Sequence, residues 1–435
     1  MARIAGVERG GKREQVQQML DKIAHRGRAG SKIIMSHSAT LGAVLTKAEA
    51  GPVAPTLQRR AVWDGPAPPL PEPGSLEHHV QPFALGAARS DGLFLARDPL
   101  GVRPLYYGRT NDGILCFASE VKALLEVTRN VEEFPPGSRY DSQNGFQTFF
   151  QLERGPDLKE NAARVIPALR LRLEQAVCRQ VGSSVVGCWL SGGLGSSTVA
   201  ALVKPHVQKL HTFAAGADAA PNLERARQVA SHLNAKHHEV IVGLDDLQAI
   251  LPEVIFHLES FDAPLVRPAI TNYLMSRLAT DAVSEVFSGE GADELLGGHA
   301  QIKKAKSKKP SDHRVNTMRQ LHNTTLQQVD RSASAHGLVV NLPFLDPTVV
   351  KFALYVFQSV TNYSAAKTLL RRGSYAGFST ACFLRRLCGW VGPGTGRGPP
   401  SAECWQNMRN SRYQTTSTVG NAPCPMDGYS ATRKS

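Results

Sequence analysis

Two glycine-rich stretches, Ser191-Gly-Gly-Leu-Gly-Ser-Ser197 and Ser288-Gly-Glu-Gly-Ala-Asp-Glu-Leu-Leu-Gly-Gly298, constrain what this chain can fold into more than any other feature. The first follows an apolar run, Val185-Val-Gly-Cys-Trp-Leu190, and leads into Thr198-Val-Ala-Ala-Leu-Val203, so it reads as strand, glycine turn and helix start. Such a turn suits an anion. Glycines let backbone N–H groups come close, serine hydroxyls donate further hydrogen bonds, and the helix N-terminus adds roughly half a positive charge. The second stretch follows Val283-Ser-Glu-Val-Phe287 and sets Glu290, Asp293 and Glu294 among glycines at a strand end. In an open α/β sheet ligands sit beyond the carboxyl ends of the strands, so both loops are expected to face one site.

The surrounding pattern predicts that sheet. Apolar spacing near 3.6 over 165–177 predicts a helix, followed by strands at 210–215 and 238–242 alternating with helices at 223–233 and 247–258. Strands alternating with helices imply parallel pairing and crossover connections. Residues 1–155 read instead as a β-rich layer, broken by a Pro-rich run over 65–74. The expected organisation is 1–155, 156–378 and a polar, Gly/Pro-rich tail over 379–435.

Composition narrows the class. A chain of 435 residues, 42% hydrophobic and 20% charged, is globular and long enough for two cores. None of its 7 cysteines forms a Cys-x-x-Cys pair, and no apolar signal region follows the basic start at Arg9 to Arg13, which points to a reducing, cytoplasmic setting. No apolar run approaches the roughly 20 residues of a membrane helix. Part of the net charge of +13 is one run, Lys303, Lys304, Lys306, Lys308 and Lys309, read as a solvated loop because no aromatic residue interleaves it and no nucleic-acid module accompanies it. The basic balance helps to draw in anionic substrates.

The two loops together resemble those of the asparagine synthases. Further matches follow in that family's order: Asp330-Arg-Ser-Ala-Ser-Ala-His-Gly-Leu338, Pro343-Phe-Leu-Asp346, and Lys367 in Ala366-Lys-Thr-Leu-Leu-Arg371. Towards the amino terminus, His25-Arg-Gly27, Arg97-Asp-Pro-Leu-Gly-Val-Arg-Pro-Leu-Tyr-Tyr-Gly108, Phe117-Ala-Ser-Glu-Val-Lys122 and Pro135-Pro-Gly137 match the family's glutaminase half. The resemblance implies an α+β amidotransferase (Ntn-type) layer followed by an α/β parallel-sheet domain of the ATP-pyrophosphatase type.

Several glutaminase parts are missing. The family begins Met-Cys-Gly-Ile and uses that cysteine as nucleophile, whereas this chain begins Met1-Ala-Arg-Ile4. The family's Asn-Gly-Glu, which supplies an oxyanion contact, appears as Asp64-Gly-Pro66, and an Asp there is expected to repel a developing oxyanion. The arginine expected after Leu41-Gly42 is absent from Ala43-Val-Leu-Thr46. Glutamine hydrolysis is therefore not expected.

For the synthetase half the resemblance implies that ATP activates the β-carboxylate of aspartate and that ammonia displaces AMP. Leu190, Ala215, Ser288 and Gly289 would line the nucleotide, while Ser191, Gly192, Gly193, Ser196 and Ser197 would hold pyrophosphate. Glu290 would guide or deprotonate ammonia, Asp293 would hold Mg²⁺, and Lys367 would neutralise the leaving group. The family's Asp in the fifth place of its SGGLDS loop, a Mg²⁺ ligand, is Gly195 here. Three alternatives stay open: an asparagine synthase using free ammonia, an amide ligase of the β-lactam synthetase or lasso-cyclase kind, and a non-catalytic relative. The partners expected are small molecules rather than nucleic acid or membrane, and a homodimer is left open.

Overall fold

Alternating apolar residues joined by tight turns build the first half. In the computed structural model, β5 (Ala84–Arg89) and β6 (Gly92–Arg97) form a hairpin across Ser90-Asp91, closed where Arg89 pairs with Gly92. Gly92 has φ +151°, a conformation that a side chain would resist. The structure describes residues 3–27, 29–46, 60–66, 76–153, 162–296 and 310–356. Ala2, the lysine run at 303–309, Lys367 and the tail at 379–435 lie outside those residues.

Two antiparallel sheets stack in the amino-terminal half. The six-stranded sheet runs β2 (Ser31–Met35), β3 (Thr40–Val44), β1 (Arg3–Val7), β8 (Leu115–Ala118), β7 (Tyr106–Arg109) and β9 (Val131–Glu133), with β1 between β3 and β8. The five-stranded sheet runs β11 (Gly145–Thr148), β10 (Ser138–Asp141), β6, β5 and β4 (Ala61–Asp64). Leu41 and Phe117 of one sheet meet Val62, Leu93 and Leu95 of the other in a dry core. Helix α1 (Arg13–Lys22) lays Val16, Met19 and Leu20 on the opposite face of the first sheet, against Ala5, Val7 and Cys116. Burial on both faces explains why β1 and β3 contain only apolar and small residues apart from Arg3 and Thr40.

The third sheet is parallel, as the strand–helix alternation predicts. Its order is β14-β13-β12-β15-β16, built from β12 (Val185–Trp189), β13 (Lys209–Gly216), β14 (Lys236–Ile241), β15 (Glu285–Phe287) and β16 (Val339–Asn341). The predicted helices appear as α3 (Ala162–Gln180), α5 (Pro221–His232) and α6 (Leu244–Leu258). Strand β14 begins at Lys236, not His238, because His211 and His237 already pair into the ladder with Lys236 and Thr212. The chain leaves β12 towards β13 and β14, then returns to β12's other side for β15 and β16. That reversal makes the carboxyl ends of β12 and β15 a topological switch point, where such sheets bind ligands. The described residues all fall in one compact unit.

Candidate active site

The loop after β12 is organised by its own serines. Ser191 Oγ lies 3.1 Å from Ser196 Oγ, Gly193 N–H donates to Ser191 Oγ at 3.3 Å, and Ser196 Oγ donates to the Gly193 carbonyl at 3.2 Å. Gly192 takes φ +68°, which lets the chain turn back, and α4 (Leu194–Val203) starts at once from Gly193. The amino end of α4 therefore points its free N–H groups and dipole at the turn.

The loop after β15 presses against this turn. A Cβ on Gly289 would sit 2.4 Å from the Ser196 nitrogen and 2.6 Å from the Gly195 carbonyl carbon, so only glycine permits the contact. Ser288 N–H donates to the Asn341 carbonyl at 3.0 Å, tying the loop to β16. Between the loops lies a cavity of about 470 Å³ lined by Leu190, Ser191, Gly193, Ser196, Ala215, Ser288, Gly289, Glu290 and Asp293. Of the expected site residues, Gly192 and Ser197 support the turn without lining the cavity, Ser197 being buried in α4. Glu294 turns inward on the short helix α8 (Ala292–Leu296) at 4% exposure and does not line it.

The far wall was not anticipated. Helix α7 (Ala263–Ala279) brings Thr271, Asn272 and Met275 to the cavity, and Trp189, Ala214 and Asn222 join them. Thr271 Oγ1 donates to the Pro268 carbonyl at 2.9 Å and Asn222 Nδ2 to the Ala215 carbonyl at 3.3 Å. The available sequence signal is the pair Asn272 and Ser276, one turn apart on an otherwise apolar helix stripe, both buried. Among the described residues no group of three His, Cys, Asp or Glu side chains is arranged to hold a metal.

In the amidotransferase half, one position singled out for glutamine chemistry, Asp64, belongs to a buried charge pair. Asp64 is fully buried and accepts a hydrogen bond from Arg3, itself 1% exposed. Its carboxylate is thus met by a guanidinium. Arg3 Nη2 lies 3.8 Å from Asp330 of α10 (Thr325–Ser334), which also takes Arg26. Arg26, Lys122 and Arg331 all converge on Glu120, with Arg331 Nη1 2.9 Å away, and Arg331 Nη2 lies 2.9 Å from Glu259. Burial pulls the Glu120 carboxyl upward, yet Arg331, Arg26 and Lys122 together hold it well below the usual carboxylate range. Burial pulls the Arg3 guanidinium below its ordinary value despite Asp64.

A layered antiparallel half joined to a parallel sheet with its cavity at the switch point defines an amidotransferase-type domain followed by an ATP-pyrophosphatase-type domain. Comparison with known proteins agrees: residues 168–320 match the asparagine synthase family model and residues 80–157 the glutamine amidotransferase domain model. The chain thus carries an asparagine synthase domain and a glutamine amidotransferase domain over those residues. It is 34% identical over 288 residues to asparagine synthetase (glutamine-hydrolyzing) 2 of Arabidopsis thaliana, covering 63% of this chain and 50% of that protein. It is 33% identical over 297 residues to asparagine synthetase B (glutamine-hydrolyzing) of Escherichia coli strain K12, covering 63% and 53%. The chain thus spans about half the length of the curated relatives it matches. A solved structure of the allosteric regulatory enzyme of purine biosynthesis overlaps 55% of this chain and 80% of its own at 13% identity, with a TM-score of 0.30. Among the described residues no helix is long and apolar enough to cross a membrane.

Proposed function

We propose that this chain is an ATP-dependent amide ligase that converts aspartate, ATP and ammonia to asparagine, AMP and pyrophosphate, with no glutaminase activity of its own. The observation that carries this is the pair of loops, at the carboxyl ends of adjacent parallel strands, enclosing one cavity with Glu290 and Asp293 on its rim. A β-carboxylate oxygen of aspartate attacks the α-phosphorus, and the bond to the bridging oxygen breaks. The N–H groups and hydroxyls of Ser191, Gly193 and Ser196 take up the charge developing on pyrophosphate, helped by the amino end of α4. Leu190, Ala215, Ser288 and Gly289 hold the nucleoside. Ammonia then attacks the acyl carbon, AMP leaves with the electron pair of the broken C–O bond, and Glu290 accepts the proton shed by nitrogen. Lys367 is assigned to the leaving group from the sequence alone.

The residues present fit Mg²⁺ through Asp293, with phosphate and water oxygens completing the shell. When bound, the ion would offset phosphate charge. Gly195 supplies no carboxylate, and this favours a second reading, nucleotide binding with little turnover.

Glutamine offered to the purified protein should release no glutamate above a blank, because Ala2 has no thiol and Asp64 is engaged by Arg3. Measurable release would contradict the loss of that activity. Introducing Ala2→Cys alone should leave it silent, since Arg3 and Asp64 still occupy the interior.

The close approach of the loops gives a second expectation. Gly289→Ala must separate the loops by several tenths of an ångström, and overpacking of this kind costs about 1–3 kcal/mol. AMP binding, followed by calorimetry, should weaken about tenfold or more. Unchanged affinity in a folded variant would remove these loops from the nucleotide site.

A further inference from the structure

We propose that Asn272 reads the base of the bound nucleotide, hydrogen-bonding the exocyclic amine and a neighbouring ring nitrogen of adenine. This inference rests on the ATP site proposed above and adds to it a residue that selects the base.

Asn272 lines the cavity at 9% exposure; Ser276 Oγ donates to its backbone carbonyl at 2.6 Å, and its carboxamide makes no hydrogen bond to any described residue. A nearly buried amide with both donor and acceptor unspent is held ready for an outside partner, since leaving it unpaired is costly. The indole Nε1 of Trp189 is also without a partner, but it is sealed from solvent, whereas the Asn272 amide is not. Trp189, Leu190, Ala214, Ala215 and Met275 give the same cavity apolar walls, beside the polar Thr271 and Asn222.

Apolar walls beside a free carboxamide suit a flat heterocycle with a polar edge. A free carboxylate of an amino-acid substrate would instead require a cation or several N–H donors there. Position agrees with chemistry. Helix α7 packs on β13, on the opposite side of β12 from the β15 loop that carries Glu290 and Asp293. The charged end of the nucleotide belongs with the serine turn and those carboxylates, which leaves the β13 side for the base. A carboxamide presents a donor beside an acceptor, the complement of adenine's amino group beside a ring nitrogen, the pairing by which Asn recognises adenine in nucleic acids.

The test is calorimetric titration of the full chain with AMP and with purine riboside 5′-monophosphate, which carries hydrogen in place of the amino group. The natural chain should bind AMP about five- to tenfold more tightly, the equivalent of one or two neutral hydrogen bonds. Asn272→Leu, close in volume, should bind both ligands equally and at the weaker affinity. Equal binding of both ligands by the natural chain, or discrimination that survives in Asn272→Leu, would overturn the assignment. If Asn272→Leu does not fold, Asn272→Ala carries the same comparison, with equal binding of both ligands expected and surviving discrimination overturning the assignment. Failure of the natural chain to bind either nucleotide at millimolar concentration would reject the ATP site itself, and the inference with it.

Discussion

Glu120→Ala is expected to destabilise the protein by about 3–5 kcal/mol, the usual cost of removing one partner from a buried ion cluster. Glu120 is fully buried, and Arg26, Lys122 and Arg331 each lose a counter-ion when it goes. Those cations do not share one element: Arg26 follows α1, Lys122 lies in the short helix Val121–Leu124, and Arg331 belongs to α10. The loss therefore strikes where the antiparallel layers meet the helices of the parallel sheet. A domain is typically stable by only about 5–15 kcal/mol, so the urea midpoint should fall steeply. A midpoint unchanged from the natural chain would mean that the three cations are compensated without Glu120. Because the native carboxyl is held below its ordinary pKa, its contribution is present above the unfolded value and is lost as pH falls through the folded one. Glu120→Gln should accordingly flatten the loss of stability in acid.

Gly195→Asp is expected to raise aspartate-dependent pyrophosphate release by roughly 10² or more, since a metal contact to developing phosphate charge is worth several kcal/mol. The structure adds a condition. A Cβ at position 195 would stand 2.9 Å from the Ala292 Cβ and 3.0 Å from the Gly289 carbonyl oxygen. The two loops must yield by a few tenths of an ångström to accept it. Pairing the change with Ala292→Gly removes the nearer obstacle, and the double variant should equal or exceed the single one. If both variants bind AMP yet neither gains rate, the missing carboxylate is not what restrains the chain.

Much of this site was legible because loop chemistry is local. Glycine and serine spacing after an apolar run predicts strand, turn and helix start, and β12, the Ser191–Gly193 turn and α4 follow one another in that order. Strand and helix alternation likewise implied a parallel sheet, so the meeting of Ser191 with Ser288 followed from topology. The α7 wall was not legible. Helical periodicity marks Asn272 and Ser276 as one stripe, but only packing against β13 decides that Asn272 meets the cavity while Ser276 is closed off inside. Arg3 was passed over for a related reason. Its partner Asp64 is 61 positions away on a strand of the other sheet, and no local pattern joins β1 to β4.

The central claim is that the cavity between the two loops activates a carboxylate by adenylation. Aspartate labelled with ¹⁸O in its β-carboxylate, incubated with ATP and ammonium, tests it directly in the natural chain and in Gly195→Asp. Attack by that carboxylate on the α-phosphorus must carry one labelled oxygen into AMP, so mass spectrometry should find singly labelled AMP matching the asparagine formed, in larger amount with the variant. AMP without label, ADP and phosphate in its place, or no product from either protein despite nucleotide binding, would contradict the ligase.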